Sequence, residues 1–167
     1  MKRRGFLTAF VLSMLFFLSL PFAQDQLKTM PLGWDHKDGE TLFHFQELKR
    51  YQDKMMINIG VQNKNKTDQC IFVTTGPYKV LMDDNAGNKY IGATIEFKTS
   101  ETNKLTPDEN MIIGINLPAP KKGVSTVNFH FGLFSKAIGK NQKCADPIVK
   151  TDDYNFHKTN VNVSKIQ

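Results

Sequence analysis

Segment 54–61 places an apolar side chain at every second position: Met55, Ile57, Ile59 and Val61 alternate with Met56, Asn58 and Gly60. Segment 124–134 does so more cleanly, setting Val127, Phe129, Phe131 and Leu133 against Thr126, Asn128, His130 and Gly132. A period of two matches the β-strand, whose successive side chains point to opposite faces, so each segment reads as a half-buried strand. Met111, Ile113, Ile115 and Leu117, alternating with Ile112, Gly114 and Asn116, add a third. Strands with one apolar face must bury it against another layer, so the pattern demands facing sheets.

The residues between these strands are turn chemistry. Asn63-Lys64-Asn65-Lys66-Thr67-Asp68 is a polar turn before a strand starting at Cys70-Ile71-Phe72-Val73; Gly76-Pro77 breaks that strand and 78–82 resumes it. Asp83-Asp84-Asn85-Ala86-Gly87-Asn88 is rich in residues that tolerate a left-handed backbone and closes a hairpin into a strand over 89–97. Residues 98–110 are polar, 118–123 form a turn, 135–147 a lysine-rich loop, and 154–163 a last β-like stretch. Segment 41–51 fits a strand, with Phe43, Phe45 and Tyr51 on one face, or a helix built on the good helix formers at 46–50; the β character of the segments after it favours the strand. Residues 24–40, with Pro31, Gly33 and Gly39 and no sustained period, read as a flexible leader. The expectation for 41–167 is one all-β domain, an antiparallel β-sandwich of about seven or eight strands.

The first 23 residues read as a cleavable export signal. Lys2, Arg3 and Arg4 precede an apolar run through Val11, Leu12, Met14, Leu15, Phe16, Phe17 and Leu18, and Pro21-Phe22-Ala23 offers the cut. A membrane span needs about 20 apolar residues, so the run is a signal rather than an anchor, and no integral membrane segment is expected after cleavage. Arg3-Arg4-Gly5-Phe6-Leu7 also resembles a twin-arginine motif; the very hydrophobic core and the basic start favour the general secretory route. Either route leads to an extracytoplasmic location, periplasmic or secreted.

That compartment decides how the two cysteines, Cys70 and Cys144, are read: an even count under oxidising conditions favours one disulfide, with two separate thiols as the alternative. No CxxC pair or ligand-spaced histidine points to zinc. The formal net charge is +6, half of it supplied by Lys2, Arg3 and Arg4, and acids interrupt the remaining lysines. A charge that mild and that scattered describes a solvated surface, not a nucleic-acid face.

The order of these features resembles a family. Val61-Gln62-Asn63 ends one strand; Asp84-Asn85-Ala86-Gly87-Asn88-Lys89-Tyr90, Leu105-Thr106-Pro107-Asp108-Glu109 and Leu117-Pro118-Ala119-Pro120 come next in turn, and the strand 124–134 closes the series. The series is similar to the immunoglobulin-like domains of bacterial exported proteins and lipoproteins of unknown function, a group that includes a small secreted mycobacterial antigen. It covers residues 41–134. Asp108 stands where the pattern has Gly, no lipidation cysteine follows the signal, and 135–167 has no counterpart. The resemblance implies an immunoglobulin-like sandwich and carries no catalytic residue across.

Chemistry-bearing residues are sparse. His36, His44, His130 and His157 stand apart from any G-x-S-x-G elbow, so no nucleophilic enzyme is expected. A copper or zinc carrier, with His44 and His130 on neighbouring strands near Met55 or Met56, is the alternative function, although no H-x-H or M-x-M cluster supports it. Asp83-Asp84 and Asp152-Asp153 lack the spacing of a calcium loop. The expected function is therefore a non-catalytic binding module without cofactor or metal, meeting a protein partner in the cell envelope or outside it. Its expected contact surface draws on Trp34 in the leader, whose other and favoured reading is a cap over the end of the core, on Asp84 and Lys89 in the hairpin, and on Lys140 in the lysine-rich loop.

Overall fold

The computed structural model describes residues 27–76, 80–99 and 102–167; the expected signal at 1–23 lies outside them. Among the described residues the chain is all-β: β1 (Lys28–Asp38), β2 (Thr41–Tyr51), β3 (Lys54–Asn63), β4 (Gln69–Thr74), β5 (Val80–Asp84), β6 (Lys89–Ile91), β7 (Thr94–Phe97), β8 (Lys104–Leu105), β9 (Asn110–Pro118), β10 (Thr126–Ala137), β11 (Ile148–Val149) and β12 (Phe156–Asn162), then a 3-10 turn at Ser164–Ile166. One sheet runs β1-β2-β3-β9-β7. The other runs β11-β4-β10-β5-β6, with β12 also on β10 and β8 on β4. The two pack as a sandwich.

The alternating residues fill the space between the sheets. Met55, Ile57, Ile59 and Val61 of β3, Met111, Ile113, Ile115 and Leu117 of β9, and Val127, Phe129, Phe131 and Leu133 of β10 are all buried. Phe45 stacks on Phe156 and meets Phe131 at 5.2 Å between ring centroids. Each such side chain contributes about 1.5–3 kcal/mol by leaving water, so this core dominates the stability of the fold.

Several boundaries differ from the sequence reading, each for a local reason. The expected loose leader is for the most part strand: residues 28–38 pair with β2 along its length. Its period is hidden because the register shifts between Pro31 and Trp34, where Gly33 takes φ +63°. In β2 a bulge between Phe45 and Glu47 moves the inward phase from odd to even positions. Leu48 is therefore buried and Tyr51, expected beside Phe43 and Phe45, is exposed. The single strand expected over 89–97 is two. Gly92, at φ +104°, turns the chain so that β6 pairs with β5 while β7 crosses to β9 in the opposite sheet. The loop expected from 135 starts later, because β10 runs on to Ala137 against β4.

Cys70 of β4 is bonded to Cys144, 74 positions away, which resolves the two thiols into one disulfide. Closing a loop of that length contributes about 4 kcal/mol in the chain-entropy account.

Candidate functional site

The polar phase of β10 faces outward from the second sheet and carries Asn128 and His130. Strand pairing sets Asn128 opposite Asp83 of β5 and His130 opposite His157 of β12. Asn128 Nδ2 donates to Asp83 Oδ1 at 2.7 Å, His130 Nε2 lies 2.8 Å from Asp83 Oδ2, and His130 Nδ1 lies 2.9 Å from His157 Nδ1. The amide of Asn160, held at φ +54° in a bulge of β12, donates to Asn128 Oδ1 at 2.9 Å. One hydrogen-bonded circuit thus laces β5, β10 and β12.

Donor counting fixes its protons. An ionised carboxylate only accepts, so His130 presents N–H at Nε2 to Asp83. When His130 carries that proton alone, its Nδ1 is an acceptor and His157 Nδ1–H is the donor, which leaves His157 Nε2 facing outward. Both ring nitrogens of His130 are engaged, so this imidazole has none left to accept a proton from a serine or cysteine. The arrangement does not form a nucleophilic triad.

A cavity of about 590 Å³ adjoins the circuit, lined by Val80, Asp83, Lys89, His130, Asp152 and Tyr154 among others. The Tyr154 hydroxyl donates to the Val80 carbonyl at 2.9 Å. Burial, with the nearby Asp152 charge, pushes its phenol above the ordinary range. A second cavity, about 650 Å³, lies beside the disulfide and is lined by Phe97, Asn103, Lys104, Lys140, Lys143 and Asp146 among others. There Lys104 pairs with Asp68 at 2.7 Å and also donates to the Lys140 carbonyl, while Lys140 and Lys143 are exposed.

The four residues expected at one contact surface are dispersed. Trp34 is half-buried where the sheets meet: its ring centroid lies 5.9 Å from Phe45, 6.0 Å from Phe129 and 6.4 Å from Phe156, with Lys158 Nζ 5.4 Å above it. Asp84 is buried in the hairpin, accepting from the amides of Ala86 and Asn88, the Asn88 side chain and the Tyr90 hydroxyl. Those bonds, the Asn88 side chain foremost, hold its carboxyl below the usual range against the opposing effect of burial. Lys89 lines the cavity beside His130, and Lys140 rims the one by the disulfide. Nothing in the sequence joins Asp83, His130 and His157, since only their outward phase is visible there. Strand pairing brings them into contact.

The expected neighbourhood of His44 and His130 is corrected. His44 is on the outer face of the first sheet, 2.6 Å from Asp35, whereas His130 is on the outer face of the second. Met55 is in the core, and Met56 accepts from Lys98. No three His, Cys, Asp or Glu side chains among the described residues are placed to hold a metal ion. No helix among them is long and apolar enough to cross a membrane.

No protein-family model and no curated protein matches this chain. The class its own geometry defines is a disulfide-braced β-sandwich.

Proposed function

We propose that this chain is an exported immunoglobulin-like binding module without catalytic activity, and that it meets an acidic protein partner through loop 138–147. The observation that carries the reading is the disulfide. Cys144 is tied to buried Cys70 of β4, so the loop bearing exposed Lys140 and Lys143 is held against a rigid sheet beside an open cavity. A braced loop loses less conformational freedom on binding than a free one. Paired cysteines are also compatible with an oxidising, extracytoplasmic compartment, periplasmic or secreted, in keeping with the basic-then-apolar N-terminus.

The immunoglobulin-like reading is supported by strand order. If β2, β3, β9 and β7 take the places A, B, E and D, then β12, β10 and the β4–β5 pair take G, F and C, with β6 beside C and β1 an added strand outside A.

The test is capture from envelope and secreted fractions, followed by titration with the purified partner. Saturable binding that falls at least about tenfold in Lys140→Glu/Lys143→Glu, and is kept in the distant Lys54→Glu, is the expected result; about tenfold corresponds to the loss of a cluster of interfacial charges. Equal binding by all three proteins would overturn the assignment of the loop.

A further inference from the structure

His130 and His157 are direct partners across β10 and β12, and their contact has an unusual proton requirement. The ring centroids are 5.2 Å apart at an interplanar angle of 65°, with the two Nδ1 atoms 2.9 Å apart between them. The nitrogens therefore meet head-on, the geometry of an N–H···N hydrogen bond, with no third donor among the described residues converging to make a chelate. Such a bond needs one hydrogen between the two nitrogens. With neutral rings His157 supplies it. One added proton is still accommodated: a charged ring donates to a neutral one, and the bond becomes charge-assisted. A second added proton places N–H against N–H and cation against cation, and the bond cannot persist.

We propose that the His130–His157 pair is an acid-operated clasp that holds β12 to the second sheet and releases it when both rings are charged. Elsewhere β12 is held by its ladder to β10, by the Asn160 amide on Asn128 and by Phe156, which stacks on Phe45. Between Phe156 and Asn162 only Val161 is buried, and the bulge at Asn160 interrupts the ladder. Opening exposes the edge of β10 and removes Phe156 from Trp34, Phe45 and His36.

The charged groups around the pair come from every neighbouring element. Asp83 of β5 faces His130, and the ring of Tyr154, ahead of β12, lies 6.1 Å from His130 and 6.3 Å from His157. Asp152 and Lys89 line the same cavity with opposite signs, and Lys158 of β12 lies on the other face, over Trp34. His36 of β1 also bears on Phe156, and burial lowers its pKa against the opposing effects of the Leu133 backbone and Asp38. It is a separate source of acid sensitivity, so the test must separate the two.

Amide-exchange protection factors for β12, referred to those of β9 in the same protein, make the measurement at about pH 7.5 and about pH 5, on either side of the imidazole range. In the full mature protein β12 protection is expected to fall about tenfold relative to β9 on acidification, a size set by one lost hydrogen bond. In His157→Gln, which retains His36, the relative acid-dependent fall should vanish. The nitrogen NMR signals of His130 and His157 should titrate in two separated steps in the parent protein, and His130 in one step in the variant. An equal acid-dependent fall in His157→Gln, or independent single-step titration of the two rings in the parent, would overturn the clasp.

Discussion

Asp38 at the end of β1 is bonded to Ser135 of β10, 97 positions away: its Oδ2 accepts from the Ser135 amide at 2.5 Å and from the hydroxyl at 3.0 Å. The two residues belong to different sheets, so the bond fastens the N-terminal strand of one layer to the long central strand of the other. Removing the carboxylate strands a part-buried amide, while the hydroxyl keeps the Asp38 carbonyl as acceptor at 3.2 Å. Asp38→Ala should therefore lower unfolding free energy by about 1–3 kcal/mol in urea denaturation, with Asp38→Asn intermediate.

Trp34 is the sole tryptophan, so its fluorescence reports the closure of the sandwich by β1 directly. Its contacts with Phe45, Phe129 and Phe156 make it a structural cap. Trp34→Ala should destabilise by about 2–4 kcal/mol, somewhat less than a fully buried aromatic truncation, while Trp34→Phe retains most of the stability. In the parent protein the emission should shift to the red in a single step with unfolding. An unchanged denaturation midpoint in Trp34→Ala would return this residue to the contact surface.

The disulfide should account for a large part of the total stability. Reduction, or Cys70→Ala/Cys144→Ala, is expected to cost about 4 kcal/mol, read as a shift of the urea midpoint, with little change in far-ultraviolet circular dichroism below the transition temperature of the reduced form. The loop bearing Lys140 and Lys143 should become protease-sensitive in the same protein, because Cys144 ties it to the sheet.

Asp84 and Tyr90 set opposite limits on the pH range of the hairpin. The carboxyl of Asp84 is lowered in the fold, so its stabilisation is complete above the ordinary carboxylate range and is lost as pH falls below that range through the lowered value. The phenol of Tyr90 is raised, first by burial and then by the Asp84 bond, so the fold retains a proton that the unfolded chain gives up. That stabilisation is complete below about pH 10, the ordinary tyrosine value, and is lost as pH climbs through the raised one. Tyr90→Phe should reduce the alkaline limb of the stability profile, leaving the part due to the raised Tyr154, and Asp84→Asn should reduce the acid limb.

Asp108 occupies φ +61° in the turn before β9. Its conformation is held by the bond from its own amide to the Asn63 carbonyl. Asp tolerates the left-handed region and a β-branched residue does not. Asp108→Val should cost about 1–2 kcal/mol by thermal denaturation, and Asp108→Gly should stay within about 0.5 kcal/mol of the parent because relief of strain and added chain entropy oppose each other.

The strands that carry the core were legible wherever the side-chain period ran unbroken. β3, β9 and β10 have burial patterns that follow their alternation, because burying one face of a strand leaves a mark at every second residue. The hairpin at 83–89 was legible through its turn residues. Where a bulge or a glycine shifts the phase, as in β1, in β2 and at Gly92, the same signal misleads, since one inserted residue exchanges the faces.

From its sequence alone, this chain is determined to be an alternating β-polypeptide with two cysteines able to pair and an N-terminus that reads as an export signal. Alternation is a local property, set by which face of each strand must leave water. Tertiary structure alone decided that β6 and β7 part to opposite sheets, that β1 joins the sandwich through Asp38 and Ser135, and that Asp83, His130 and His157 touch. Those contacts join residues far apart in the chain through strand order and register, and the period of a strand carries no information about its neighbour.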